Sequence, residues 1–154
     1  MRIQMVGTGY VGLVTGTCLA NTGNEVTCVD VDEGRIADLR RGRLPIYEPG
    51  LEELIHRNVR AGRLRFAVVD DQVTQWAQII FICVGTPSDE GGRAALTQVL
   101  AAASDIGADI GRLGKDTSAN TGKQCLARRT HQGTEHRDRN GGQIQFCLLY
   151  TSDA

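Results

Sequence analysis

Features that mark a membrane, secreted or nucleic-acid-binding protein are missing from this sequence. No apolar run in its 154 residues approaches the ~20 residues that a transmembrane helix needs. Residues 1–6 lack the apolar core and small-residue cleavage site of a signal peptide. A net charge of −1 favours neither nucleic acid nor a membrane surface as a partner. We therefore expect a cytoplasmic protein without membrane or nucleic-acid partners.

The paired cysteines of a zinc site are missing as well. None of the five cysteines is spaced as CxxC, so we predict no metal site. Cys18, Cys28 and Cys83 lie within apolar helix or strand patterns. We interpret them as small buried side chains in a reducing compartment.

What the sequence does have, up to about residue 113, is an alternation of apolar runs and amphipathic segments. The predicted strands cover residues 2–6, 25–30, 64–69 and 78–84. The predicted helices cover residues 10–22, 33–41, 51–61, 71–76 and 96–113. The predicted apolar face of the first helix consists of Val11, Val14, Cys18 and Leu19. This alternation predicts an α/β protein with a Rossmann-type, doubly wound parallel sheet.

The alternation stops near Gly114, where another strand is due. Residues 115–140 are polar and show almost no apolar periodicity. We therefore predict an incomplete sheet that lacks its fifth strand, followed by an irregular C-terminal tail.

A glycine motif lies between the first predicted strand and the first helix. Gly7, Gly9 and Gly12 form GxGxxG, and this strand-to-helix context is the one in which the motif binds dinucleotides. Gly7 permits the tight turn, Gly9 lets a pyrophosphate approach the backbone, and Gly12 lets the helix pack close to the strand. The helix N-terminus offers N–H groups and partial positive charge to the phosphates. A purely structural glycine turn is the alternative.

An acidic residue follows at the distance that the motif requires. Asp30 ends the second strand, 18 residues after Gly12, and its carboxylate is predicted to accept hydrogen bonds from the adenosine ribose. Because it would repel a 2′-phosphate, it favours NAD over NADP. Asp32 is the alternative, although its position favours capping of the second helix. Arg35 either lies along the ribose or is a solvated surface charge. Thr86 follows the fourth strand and either meets the cofactor or belongs to an ordinary loop.

Four segments of the sequence resemble the UDP-glucose 6-dehydrogenases of the UDP-glucose/GDP-mannose dehydrogenase family. They are residues 7–16, 23–32, 45–54 (PIYEPGLEEL) and 84–89 (VGTPSD). The third segment is far more specific than GxGxxG. The resemblance extends from residue 1 to about residue 113.

This resemblance implies an N-terminal NAD-binding domain of a longer protein, usually a homodimer. It implies NAD as cofactor, a nucleotide-sugar substrate, and two oxidations at C6 that convert UDP-glucose to UDP-glucuronate with two NAD. Carried over by motif, the NAD contacts are Val11, Asp30, Arg35 and Thr86, and Tyr10 is expected to pack over the cofactor-binding turn. Arg35 stands where the family often has lysine.

Downstream, the sequence departs from the family. Residues 117–123 do not match the NKSTVPVGT-like segment that carries a threonine near the nicotinamide. The family's glutamate, lysine and nucleophilic cysteine would fall beyond position 154, and neither Cys125 nor Cys147 has motif support. We therefore assign no catalytic residue and expect the chain alone to be inactive.

We accordingly divide the chain into an NAD-binding Rossmann domain, residues 1–113, and a non-family tail, residues 114–154. Residues 147–154 resemble the translation of a transposon-derived sequencing-adapter end. One hypothesis is that residues 114–146 are coding DNA read out of frame, and the other is a disordered tail.

Two alternatives to a UDP-glucose 6-dehydrogenase stay open. The first is a sister enzyme that acts on GDP-mannose or on a UDP-N-acetylhexosamine. The second is a non-catalytic NAD-binding protein whose basic tail binds nucleic acid. Acidic residues among the cations of residues 115–140 disfavour the second alternative.

Overall fold

The computed structural model describes residues 1–88, 95–113 and 146–148, and within these ranges it forms one parallel sheet flanked by helices. The strands are β1 (Arg2–Val6), β2 (Glu25–Asp30), β3 (Leu64–Val68), β4 (Ile79–Ile82) and β5 (Phe146–Leu148). The helices are α1 (Tyr10–Asn21), α2 (Glu33–Arg40), α3 (Leu51–Arg60), α4 (Asp71–Trp76) and α5 (Thr97–Leu113). The strand order β3-β2-β1-β4-β5 confirms the predicted Rossmann-type fold.

Each face of the sheet has its own apolar core. On one face, Met5 of β1 packs in a cluster with Leu13 of α1 and Ile55 of α3. On the other face, Val6 of β1 packs in a cluster with Ile106 of α5. Because successive strand residues point to opposite faces, a strand covered on both sides favours apolar residues throughout. The central strands are accordingly rich in apolar residues, although Gln4 of β1 and Thr27 of β2 are also buried.

The predicted apolar face of α1 is wrong. The residues of α1 that are buried are Gly12, Leu13, Gly16, Thr17 and Ala20. Cys18 is exposed, whereas Val11, Val14 and Leu19 are only partly buried. The helix has apolar residues all round, so apolar periodicity does not select a face. The glycines select it instead, because a Cβ at Gly16 would lie 2.7 Å from the Cys28 sulfur.

The prediction that Cys28 and Cys83 are buried is correct. Cys28 and Cys83 are both buried within the core cluster beneath α1. Burial raises the pKa of the Cys28 thiol, which keeps it in the uncharged form.

The prediction that the sheet lacks a fifth strand is also wrong for the described residues. β5 pairs with β4 in parallel, with Phe146 opposite Ile80 and Leu148 opposite Ile82. The outer side of β4 has backbone groups that need partners, and even three residues of extended chain can supply them. The rest of the predicted irregular tail, residues 114–145 and 149–154, lies outside the described residues.

No helix within the described ranges has the length and apolarity needed to cross a membrane.

Candidate dinucleotide-binding site

The turn that joins β1 to α1 leaves no room for a side chain at two of its glycine positions. Gly7 has a φ of +102°, a conformation that residues with a side chain rarely adopt. A Cβ at Gly7 would also lie 2.7 Å from the carbonyl oxygen of Cys83. A Cβ at Gly12 would collide with the carbonyl oxygen of Gly7. Both glycines are therefore required by packing within the protein.

Gly9 differs, because among the described residues no atom outside its two chain neighbours lies within 4 Å of the place where its Cβ would be. Its φ of −69° is one that any residue adopts. Gly9 is the N-cap of α1, and no side chain caps this helix end. Tyr10, Val11 and Gly12 follow it as the first helical residues, so their N–H groups have no acceptor within the helix and are suited to bind an anion.

Asp30 lies at the end of β2, beside this turn, and is only 8% exposed. Its Oδ2 accepts hydrogen bonds from the Thr8 backbone N–H at 2.8 Å and from the Thr8 hydroxyl at 2.7 Å. Its Oδ1 accepts one from the Asp32 N–H at 3.1 Å. Thr8, fully buried, therefore fixes the glycine turn to the second strand.

Arg35 of α2 completes the surroundings of Asp30. Its Nη1 lies 3.3 Å from Asp30 Oδ2, while 42% of its side chain remains exposed. Burial alone would raise the pKa of Asp30, but the Thr8 hydrogen bonds, the Asp32 N–H and the guanidinium outweigh it. The pKa of Asp30 is consequently held below its ordinary value. Asp30 is therefore ionised at neutral pH and lies beside the Arg35 cation.

The predicted capping role of Asp32 is confirmed. Its side chain accepts a hydrogen bond from the Arg35 backbone N–H at 3.0 Å and forms the N-cap of α2.

A cleft of about 550 Å³ opens beside these residues at the carboxyl ends of the strands. Of the predicted cofactor residues, Gly7, Asp30 and Arg35 line it. Thr86 lies in the loop after β4 and does not line the cleft. The cleft therefore brings together Gly7, Asp30 and Arg35. The N-terminus of α1 follows Gly7 by three residues in the chain, but its first residues do not line the cleft.

Several lining residues were missed by the sequence analysis. Apolar walls are provided by residues that follow strand ends or lie along α5, namely Val31, Val69, Val84, Ala101 and Ala102. The strand-end valines could have been found, because the argument that placed Asp30 at the cofactor edge applies equally to them. Thr8 was also missed, since nothing local distinguishes it as the partner of a residue 22 positions away.

The loop between α2 and α3 also reaches the glycine turn. The Tyr10 hydroxyl donates a hydrogen bond to Glu48 Oε2 at 2.9 Å. This hydrogen bond and the Glu48 charge raise the pKa of the Tyr10 phenol. Glu48 belongs to the PIYEPGLEEL segment, whose place in the site the sequence analysis did not predict.

Comparison with known proteins decides what this site belongs to. Residues 1–115 match the NAD-binding domain of the UDP-glucose/GDP-mannose dehydrogenase family. The chain belongs to this family. The predicted resemblance is therefore confirmed, and NAD is the cofactor of the matched domain.

Individual relatives within the family agree. A UDP-glucose 6-dehydrogenase of Rhizobium meliloti is 51% identical over 113 residues, which cover 71% of this chain and 25% of that protein. The structure of a UDP-glucose dehydrogenase from Pyrobaculum islandicum matches with a TM-score of 0.69 and 40% identity, covering 73% of this chain and 26% of that one. A ternary complex of GDP-mannose dehydrogenase from Pseudomonas aeruginosa matches with a TM-score of 0.68 and 39% identity, covering 71% and 25%. The chain spans about a quarter of the length of these relatives.

The geometry of this family member fits a dinucleotide. The uncapped N-terminus of α1 and the open space at Gly9 suit a diphosphate. A carboxylate has about four acceptor positions. Among the described residues, Asp30 Oδ1 accepts only the Asp32 N–H, so this oxygen can also accept from a ribose hydroxyl.

Proposed function

We propose that the chain binds NAD at this cleft as the cofactor half of a nucleotide-sugar dehydrogenase. Bound NAD supplies the hydride acceptor for oxidation of the sugar. The protein's own contribution is to bind and orient the dinucleotide. The observation that carries this proposal is the Thr8–Asp30 contact, which places a charged acceptor beside the uncapped end of α1.

Within this proposal five of the predicted site residues contact the cofactor, whereas Gly7 and Gly12 shape the turn. The pyrophosphate lies against Gly9 and receives hydrogen bonds from the first N–H groups of α1, including that of Val11. Asp30 accepts hydrogen bonds from the hydroxyls of the adenosine ribose. Arg35 lies along this ribose and keeps its ion pair with the Asp30 carboxylate. Thr86 lies outside the cleft lining, so its proposed contact is with a part of the cofactor that extends beyond the cleft towards the loop after β4.

Cofactor discrimination tests the role of Asp30. A 2′-phosphate would approach a carboxylate that is charged at neutral pH, so we expect titration calorimetry to show at least tenfold weaker binding of NADP than of NAD. Asp30→Asn should reduce this ratio towards one. Equal affinity of the unaltered chain for both dinucleotides would contradict the assignment.

We further propose that the parent protein oxidises UDP-glucose twice at C6, to UDP-glucuronate, using two NAD. Supporting this choice, the UDP-glucose 6-dehydrogenase relative is 51% identical, whereas the GDP-mannose dehydrogenase is 39% identical. GDP-mannose and the UDP-N-acetylhexosamines are the competing substrates. The test is to read the parent gene beyond residue 113 and to assay its product on all three classes by NADH absorbance. Turnover of GDP-mannose alone would overturn the proposal.

Four expectations about the parent and the tail stay predictions. These are a cytoplasmic location, a homodimeric parent, the domain division at residues 113 and 114, and the absence of a nucleic-acid partner. The coding DNA tests the frameshift hypothesis, because restoring the frame should yield a strand and the threonine segment of the family. A salt-dependent DNA-binding assay tests the last expectation, and we expect no binding.

A further inference from the structure

The PIYEPGLEEL segment is one of the four that carry the resemblance to the family, yet the NAD contacts proposed above do not include it. It joins α2 to α3 and is anchored at both ends. Ile46 packs against the core beneath α1, and Leu51, at the start of α3, is 3% exposed. A backbone hydrogen bond of 3.1 Å from Leu51 N–H to the Glu48 carbonyl closes the turn between them. Glu48 is therefore held on a fixed part of the backbone.

Glu48 uses this fixed position to reach the glycine turn. It is half-buried, and its carboxylate accepts the hydroxyl of Tyr10, a residue 38 positions earlier. Tyr10 is the first residue of α1 and directly follows Gly9, where the diphosphate is proposed to lie. Half of the Tyr10 side chain is exposed, so packing alone leaves it free to adopt several rotamers. The hydrogen bond to Glu48 selects one of them.

We propose that Glu48 is a positioning residue: through its hydrogen bond to the Tyr10 hydroxyl it holds the Tyr10 ring beside the turn that binds the cofactor diphosphate. This inference rests on the proposed NAD site and adds a residue from a different loop to it. Glu48 itself does not contact the cofactor. A carboxylate in direct contact with a diphosphate would repel it, whereas a carboxylate occupied by a phenol orders the ring and stays at a distance.

The neighbouring Tyr47 provides a matched control. Its side chain is 91% exposed, so it shares the loop and the residue type of the site without taking part in it. Tyr47→Phe should leave both NAD affinity and stability unchanged.

A double-mutant cycle tests the proposal on the full 154-residue chain. Tyr10→Phe and Glu48→Ala should each weaken NAD binding about fivefold, the ratio expected for loss of one ordinary hydrogen bond. The double variant should be no weaker than about fivefold, because both changes remove the same interaction. Glu48→Gln, which keeps an acceptor oxygen, should restore affinity to within about twofold of the unaltered chain. Melting temperatures of all variants establish that the differences do not arise from unfolding.

A second readout detects the hydrogen bond without NAD. Ultraviolet titration of the unaltered chain, minus that of Tyr10→Phe, isolates one of three phenols. In the Glu48→Ala chain this phenol should titrate at lower pH, because the group that raises its pKa is gone.

The outcomes separate this inference from the proposed function. If the unaltered chain binds NAD but Glu48→Ala binds it equally well, or if the two single effects multiply in the double variant, the positioning role is refuted while the NAD site stands. An unchanged Tyr10 titration in Glu48→Ala would also refute it. If the unaltered chain binds no NAD, both proposals fall.

Discussion

Gly12 and Gly107 both lie in helices, but of the two only Gly12 has backbone atoms of another residue in the space that a Cβ would occupy. A Cβ at Gly12 would collide with the Gly7 carbonyl oxygen, and no such strain can be relieved by rotating a side chain. We expect Gly12→Ala to lower the free energy of unfolding by about 3 kcal/mol or more, measured by urea denaturation.

Gly107 is the matched control. It lies on α5, and outside the adjacent helix backbone no atom of the described residues lies within 4 Å of the place where a Cβ would be. Gly107→Ala should raise the free energy of unfolding by about 0.5–1 kcal/mol, because alanine loses less backbone entropy in a helix. A Gly12→Ala chain as stable as Gly107→Ala would show that α1 does not pack as closely as described.

The lowered pKa of Asp30 predicts how the free energy of unfolding depends on pH in acid. Because its pKa is lower in the folded than in the unfolded state, it binds fewer protons when folded. Its contribution is therefore complete above about pH 4, the ordinary range of the group, and is lost as the pH falls through the folded pKa. We expect Thr8→Val, which removes one donor to Asp30, to flatten the fall in unfolding free energy below pH 4. An identical acid profile for the two chains would contradict the bonding described for Asp30.

At the scale of elements, α2 depends on a single capping side chain. Asp32→Ala removes the acceptor of the Arg35 N–H and should cost about 1 kcal/mol of unfolding free energy. Asp32→Asn keeps an equally good cap and should cost only a few tenths. Equal losses for alanine and asparagine would mean that charge, and not the capping hydrogen bond, matters here.

The elements also show how far sequence patterns reach. The strands and helices could be predicted because glycines, caps and apolar runs are local signals, and the observed bounds of β1 and β2 equal the predicted ones. Which face of α1 is buried could not be predicted from apolar periodicity, because close approach at Gly16 decides it.

Contacts between distant parts of the chain could not be predicted from the sequence patterns. The bonds of Thr8 with Asp30 and of Tyr10 with Glu48 join segments 22 and 38 residues apart. Glycine spacing and strand ends indicated where the cofactor edge lies. They could not indicate which side chains hold that edge together, because this depends on the packed arrangement of α1, β2 and the α2–α3 loop.

At the scale of the whole molecule, this chain spans about a quarter of the length of its UDP-glucose 6-dehydrogenase and GDP-mannose dehydrogenase relatives. The described residues form a Rossmann-type sheet with a cleft that contains the proposed cofactor site. We expect the purified 154-residue chain to form no NADH from UDP-glucose and NAD, measured at 340 nm. The Rhizobium meliloti relative serves as the positive control. Turnover by this chain would mean that it also binds the sugar, which would contradict the proposal that it forms only the cofactor half.

The central claim is that a diphosphate lies against the bare backbone at Gly9. Titration calorimetry with NAD on the unaltered chain and on Gly9→Ala tests it most directly. Within the described part of the chain no atom beyond the neighbouring residues opposes an alanine at this position, and the φ of Gly9 is ordinary. We predict that the unaltered chain binds NAD and that Gly9→Ala, with an unchanged melting temperature, binds it about tenfold more weakly or worse. Equal affinity of the two chains for NAD would contradict the account.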